Sequence, residues 1–230
     1  MVLLAVDTAT SSPSVAIFKD RTLLDSAVCR SGQSLTSQLL PTIDRLLVSV
    51  GIQVSDLQGL AVSLGPGSFT GLRVGLATMS ALRLALHIPL AGVSTLEGLA
   101  WNVKPSPLRI FSTVFIKPGS LYWGIYEWVN GTMVRRGDEA MGTVTEVLQS
   151  LDGEFLVVGD GWSRNQELFA SSGAPVSFTA SEPFGATAQG IGLAGLELLE
   201  RGQLLPAGST PHYLQLSYAE VAMGIHKTSG

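Results

Sequence analysis

The sequence predicts an α/β protein of two lobes that repeat one element order, each opening on an antiparallel strand meander and then alternating helix with strand. Three observations predict it. Short apolar runs bounded by turn residues begin both halves, stretches with helical apolar spacing follow them, and a proline-bearing polar stretch, VKPSPL, separates the halves. With 230 residues, 46% of them hydrophobic, the chain is long enough to bury a real core.

Residues 2 to 6 (VLLAV) read as a strand ending at Asp7, DTATSSP supplies turn chemistry, and SVAIF and TLLDSAV follow as strands around KDR. In the next segment Leu35, Leu39, Ile43, Leu46, Leu47 and Val50 share one helical face, with Gly51 placed to cap its end. Pro41 is awkward inside it and sets the expected start, or a kink, nearby. LQGLAVSL reads as a buried strand, Ser68 or Thr70 can N-cap a second helix running to about His87, and IPLAGV follows. Past the VKPSPL boundary come strands RIFSTVFI, LYWGIYEWV and TMVRRG, a short helix near 143 to 150, a strand EFLVVGDG, a short helix after Trp162 and a longer one near 186 to 201. The expected division is therefore residues 1–103 and 104–230, with a frayed tail after Met223. A shared order of this kind points to the actin, Hsp70 and sugar-kinase superfold (ASKHA).

Composition excludes several functions. A net charge of -4 with 14 Lys plus Arg leaves no electrostatic footprint for gripping nucleic acid unaided, so any RNA role needs a basic partner. Cys29 is the only cysteine; it rules out an internal disulfide, suits a reducing compartment, and reads as a small buried hydrophobe. MVLLAVD lacks a basic lead-in, and no run approaches the ~18 apolar residues of a membrane span, so a cytoplasmic chain without membrane association is expected.

The stretch SLGPGSFTGLRVGLA looks like a phosphate cradle but fails the stricter patterns. Leu72 and Arg73 follow Gly71 where a P-loop needs Lys and Ser/Thr, and Gly65, Gly67 and Gly71 are spaced one residue too far apart for the dinucleotide fingerprint. Gly65 and Gly67 instead allow tight backbone geometry, Ser68 and Thr70 satisfy helix N–H groups, and Gly71 permits close packing, so the loop aims the helix. Arg73, where a helix dipole favours acids, calls for a specific acidic or backbone partner. On that helix Arg73, Ser80, Arg83 and His87 form one stripe, with Leu76 intruding, and the rest is apolar. That surface is wider than one sheet needs, so the helix at 35 to 50, a central position in the core, or a second protein must cover the surplus.

DTAT at 7 to 10, LLPTIDRLL at 39 to 47, GPGSFTGLRVGLA at 65 to 77 and IPLAGVSTLEGLA at 88 to 100 occur together in this order. They resemble the TsaB (YeaZ) family of bacterial tRNA threonylcarbamoyladenosine biosynthesis proteins, strongly over the first lobe. The second lobe matches loosely through LYWGIYEW, VVGDGW and PHYLQL. The resemblance implies a two-lobed actin-like fold and a non-catalytic scaffold. Its partners would be a catalytic paralogue, TsaD, which carries the metal and transfers threonylcarbamoyl to adenosine beside the anticodon, and the ATPase TsaE. A homodimer would form when the partner is absent, and tRNA would be reached only through the complex. Interface candidates are then Leu39, Leu40, Ile43, Leu72, Val74, Leu76 and Met79, chosen by helix. The chain departs from the family pattern at Leu35, where many members carry His before LLP, and at Ile116, Lys117 and Pro118, where many carry an acid-Ala-Arg triplet. Both departures weaken a polar site in the cleft.

In an actin-like fold the first hairpin, here Asp7, Thr8 and Thr10, faces nucleotide phosphates, and a strand-end Asp can hold a magnesium-bound water. An Asp opening a turn is equally good turn chemistry. KPGS supplies the second hairpin's glycine without its acid, so vestigial ATP or ADP binding, here or more readily at the partner interface, is the most this pattern offers. His87, His212 and His226 are far apart and give no metal set, and Ser68 has neither an assignable base nor the GxSxG elbow of a peptidase. The alternatives to a scaffold are thus an independent actin-like ATPase or phosphotransferase and, behind it, a peptidase.

Overall fold

In the computed structural model, which describes residues 1–30, 32–171, 173, 176–180 and 186–214, the first meander forms β1 (Val2–Asp7), β2 (Ser14–Lys19) and β3 (Thr22–Val28). β4 (Gly59–Gly65) runs parallel to β1, and β5 (Leu90–Ser94) parallel to β4, giving the order β3-β2-β1-β4-β5. The second half repeats this. β6 (Arg109–Lys117), β7 (Ser120–Val129) and β8 (Thr132–Thr143) are an antiparallel meander; β9 (Gly153–Val158) joins β6 in parallel and β10 (Val176–Ala180) joins β9. Its order, β8-β7-β6-β9-β10, is the first order over again. The duplicated actin-like architecture read from the sequence is the one present.

Helices fill both faces of the first sheet. α1 (Leu35–Ser49) and α2 (Phe69–Leu86) lie on one face, α3 (Thr95–Trp101) and α7 (Thr187–Glu200) on the other. The strand period of two sorts the side chains. Leu4, Val6, Val15, Ile17, Leu60 and Val62 meet Leu39, Ile43, Leu46, Leu76 and Met79 of α1 and α2. Their neighbours Leu3, Ala5, Ala16, Phe18 and Ala61 join Leu96, Ala188, Ile191 and Ala194 of α3 and α7 in a cluster that also takes Ile110 and Tyr126 of the second sheet. The second lobe adds α4 (Val144–Gln149), α5 (Asp160–Ser163) and α6 (Gln166–Ser171) around an aromatic core of Phe111, Phe155 and Phe169.

The lobes are tied by an exchange of helices. α7, which follows the second sheet in sequence, packs on β1, β2, β4 and β5, while α3 packs on β6 and β7. α3 and α7 approach so closely that a Cβ on Gly190 would stand 1.7 Å from the Gly98 carbonyl oxygen. Ser94 and Tyr126 donate their hydroxyls to one oxygen of Glu139 on β8, Tyr126 at 2.5 Å, which links the end of β5 to the second lobe through a buried carboxylate.

Several elements depart from the sequence reading. α1 starts at Leu35 and runs through Pro41. Pro41 is exposed, so water can reach the carbonyl its missing N–H leaves unbonded. The helix ends as expected at Gly51 (φ 68°), with Ile52 N–H on Leu47 O and Gly51 N–H on Val48 O. α3 and β10 lie where the sequence alone assigns nothing regular, because each is too short for its period to show. β8 runs well past the expected TMVRRG. The tail beyond Leu214, including His226 and the end of PHYLQL, lies outside the described residues.

Candidate docking face and interlobe cleft

The glycine-rich loop is filled by its own chain. Ser68 N–H donates to the Ala9 carbonyl at 2.8 Å, and Ser68 Oγ accepts from Gly71 N–H, capping α2. Gly67 has φ 153°, and a Cβ there would stand 2.3 Å from Ala9 O; one on Gly71 would stand 1.9 Å from Thr8 O. The β1–β2 turn therefore occupies the place at the α2 N-terminus where an anion would sit. Ser68 alone caps the helix, whereas Thr70, inside the first turn, is exposed.

Asp7 is correspondingly unavailable. Its residue is fully buried; Oδ1 accepts from Ala9 N–H at 3.0 Å and Oδ2 from the Thr10 hydroxyl at 2.6 Å. Burial raises its pKa above the ordinary carboxylate value, against the pull of these hydrogen bonds. Of the two readings of Asp7, a holder of magnesium-bound water and plain turn chemistry, its hydrogen bonds are those of the turn. Thr8, 1% exposed, packs against α2. Of the three turn residues only Thr10 reaches the interlobe cleft, a space of about 340 Å³ shared with Ser11, Ser12, Leu99, Asp160, Ser163 and Thr187. Asp160 Oδ1 accepts from Phe115 N–H at 2.9 Å, so it too serves the backbone. The described lining offers hydroxyls and one acid but no Lys, Arg or His to meet a phosphate, and no base beside a serine. Among the described residues no group of three or more His, Cys, Asp or Glu side chains could hold a metal ion. No helix among them is long and apolar enough to cross a membrane.

The surface of α2 divides differently from its composition. Leu72, Leu76 and Met79 are 1%, 8% and 0% exposed, and on α1 Leu39 and Ile43 are 1% and 3% exposed; all are core of the first lobe. Of the seven interface candidates, Leu40, 54% exposed, and the half-buried Val74 are accessible, and the other five are corrected to core residues. What stays open is a stripe that the sequence did not single out. Ala77, Ala81, Leu84 and Ala85 are exposed along one side of α2, flanked by Thr70, Arg73 and Val74. Leu84 is 72% exposed, and Val48 on the outward face of α1 is 71% exposed.

The two arginines of the charged stripe reach the chain's own C-terminal segment, while Arg73 and His87 stay exposed. Residues 203–214 form a strap along the edge of the first sheet: Leu205 N–H donates to Leu90 O at 2.8 Å and His212 N–H to Leu64 O at 2.7 Å. Half-buried Arg83 donates to Leu205 O at 2.7 Å. Arg73 Nε donates to Tyr213 Oη at 3.2 Å, with its guanidinium 3.9 Å from the centre of the Phe69 ring. Within the described residues Arg73 meets a phenol and an aromatic face rather than an acidic or backbone partner. Sequence reasoning missed the strap because its polar, proline-bearing segments carry no period; PHYLQL was its only signal.

Comparison with known proteins places this geometry. A family model described as "TsaD: tRNA N6-adenosine threonylcarbamoyltransferase" matches residues 31–197. The tRNA threonylcarbamoyladenosine biosynthesis protein TsaB of Escherichia coli (strain K12) is 35% identical over 181 residues, 75% of this chain and 77% of that protein. The solved structure of YeaZ from Pseudomonas aeruginosa superposes with a TM-score of 0.77 at 29% identity, covering 93% of this chain and 99% of that one. The ROK hexokinase from Thermus thermophilus shares the fold alone, with a TM-score of 0.53 at 12% identity over 88% of this chain and all of its own length.

Proposed function

The chain belongs to the TsaB (YeaZ) family and takes part in tRNA threonylcarbamoyladenosine biosynthesis, and from that premise we propose that it is a non-catalytic scaffold that docks a TsaD-like catalytic paralogue through the open stripe of α2. The observation that carries this is the exposure of Ala77, Ala81, Leu84 and Ala85 together on a helix whose opposite side is fully packed. Small side chains let a partner helix approach closely, and a contiguous apolar face has a reason to be covered. The first lobe, residues 1–103, supplies α1 and α2 to this face. The plugged glycine loop and the buried Asp7 support a subunit that leaves turnover to its partner.

A TsaE-like ATPase joins the pair, and tRNA is reached through the assembly, a reading in keeping with a net charge of -4. Without the paralogue the same stripe pairs two copies of the chain. Co-purification with the paralogue, followed by a tRNA modification assay with and without this chain, tests the proposal. Modification that needs both chains, with a complex that survives gel filtration, is the expected result. Full modification by the paralogue and ATPase alone, or ATP turnover by this chain that depends on Asp7, would sink it. Light scattering at several concentrations, repeated with the paralogue added, tests displacement of the self-pair.

A further inference from the structure

Arg73 has a donor set that the described residues leave largely unused. Nε is held by Tyr213 Oη at 3.2 Å, and one face of the guanidinium lies 3.9 Å from the Phe69 ring centre. Phe69, one turn back on α2, itself meets the Tyr213 ring at 4.8 Å. These contacts engage one N–H and one face of a planar fork that carries five N–H donors. Its terminal nitrogens Nη1 and Nη2 have no hydrogen-bond or ion-pair partner among the described residues. The side chain is exposed, and α2 carries no acidic residue at all.

Position gives these free donors a meaning. Arg73, Ala77, Ala81 and Leu84 follow one another at i, i+4, i+8 and i+11 on the open side of α2, so the guanidinium stands at one end of the apolar stripe. A partner covering the stripe would desolvate its border, where a charged pair gains strength and an unpaired charge is penalised. The stack on Phe69 and the bond to Tyr213 fix the plane of the fork, so little rotamer freedom is left to lose on binding. A planar fork held with its far edge outward fits the two oxygens of a carboxylate. A lone cation on a chain with a net charge of -4 is a poor footing for a nucleic-acid backbone.

We propose that Arg73 is the charged anchor of the docking face: the catalytic partner presents an Asp or Glu carboxylate to its Nη1 and Nη2, and Tyr213 and Phe69 act as positioning residues. This rests on the reading of the α2 stripe as the surface for that partner. It also gives the strap a task, since Tyr213 carries the end of residues 203–214 onto the docking helix.

The test is titration calorimetry of the catalytic paralogue against the full chain at low and high salt. The proteins are wild type, Arg73→Ala, Arg73→Lys, Tyr213→Phe, the double variant Arg73→Ala/Tyr213→Phe and Leu84→Glu. Arg73→Ala is expected to weaken binding by roughly 30-fold or more and to flatten its salt dependence. Arg73→Lys, a point charge without the fork, should recover only part of this, remaining about tenfold weak. Tyr213→Phe should weaken binding a few-fold in the wild-type background and not at all in the Arg73→Ala background, because it acts through the arginine. If Arg73→Ala binds like wild type while Leu84→Glu abolishes binding, the docking reading stands and the anchor is wrong. Binding by Leu84→Glu as strong as wild type removes the docking reading itself. A loss in Arg73→Ala fully restored by Lys, or one with unchanged salt dependence, overturns the carboxylate assignment.

Discussion

Leu84→Glu separates docking from folding. Leu84 is 72% exposed, so about a quarter of its side chain is covered in the isolated chain. Full burial of a leucine contributes roughly 1.5–3 kcal/mol, so about 0.4–0.8 kcal/mol of folding stability is at stake. A glutamate in the last turn of α2 also opposes the helix dipole by about 0.5 kcal/mol. The total, about 1 kcal/mol, should lower Tm by roughly 2–4 °C in a chain of this size. In the complex the arithmetic is different. The uncovered three quarters of the leucine would contribute roughly 1–2 kcal/mol on docking, and an unpaired carboxylate pressed against alanines would cost several kcal/mol more. A combined loss of about 4 kcal/mol weakens Kd by roughly a thousandfold. Differential scanning fluorimetry and titration of the catalytic paralogue measure the two effects on one sample. Unchanged affinity in a folded variant would refute the docking argument, and a Tm loss beyond about 10 °C would show that the chain's own fold covers Leu84.

Met79→Glu should behave in the opposite way. Met79 is fully buried, so the charge has nowhere to go and the chain should lose its cooperative melting transition; a folded, binding-deficient monomer would contradict the packing of α2. Gly71→Ala should destabilise by roughly 2–4 kcal/mol in urea unfolding, since its Cβ would stand 1.9 Å from the Thr8 carbonyl and backbone must move; wild-type stability would mean that the turn does not plug the α2 N-terminus. Glu139→Ala leaves the buried Tyr126 hydroxyl without its acceptor, and a loss of roughly 2–4 kcal/mol is expected, absent if the lobes are joined some other way. Asp7 sets a pH dependence. Its folded pKa is raised above 3.8, so as pH climbs from that value through the folded pKa the unfolded chain releases its proton first and stability falls. Asp7→Asn does not titrate, and its stability relative to wild type should rise across that window and then level off; a pH-independent difference between their denaturation curves would contradict the raised pKa.

Much of this protein is readable in one dimension. The continuous apolar runs Leu3 to Val6 and Leu60 to Val62 marked strands buried on both faces, the spacing of Leu39, Ile43, Leu46 and Leu47 marked the inner side of α1, and Gly51 marked its end. Those signals are local: they depend on a repeat of two or 3.6 residues and on single turn positions, which any stretch of the right length displays. The repeated meander and the alternation of helix and strand after it then constrained the architecture before any contact was known.

What could not be read locally is which surface of α2 is inside. By composition its charged stripe, Arg73, Ser80, Arg83 and His87, looks like the side left to water, and Leu72, Leu76 and Met79 look free to meet a partner. The fold overturns the second half of that assignment and qualifies the first: the sheet takes Leu72, Leu76 and Met79, and residues 203–214, more than a hundred positions away, bring a backbone carbonyl to Arg83 and a phenol to Arg73, which stays exposed. Asp7 follows the same logic, with a strand-end acid consumed by its own turn once the α2 loop closes over it. Sequence determined what each segment is, since periodicity and turn chemistry belong to neighbouring residues; tertiary structure decided what each face meets, since burial depends on the segments that long-range packing brings alongside.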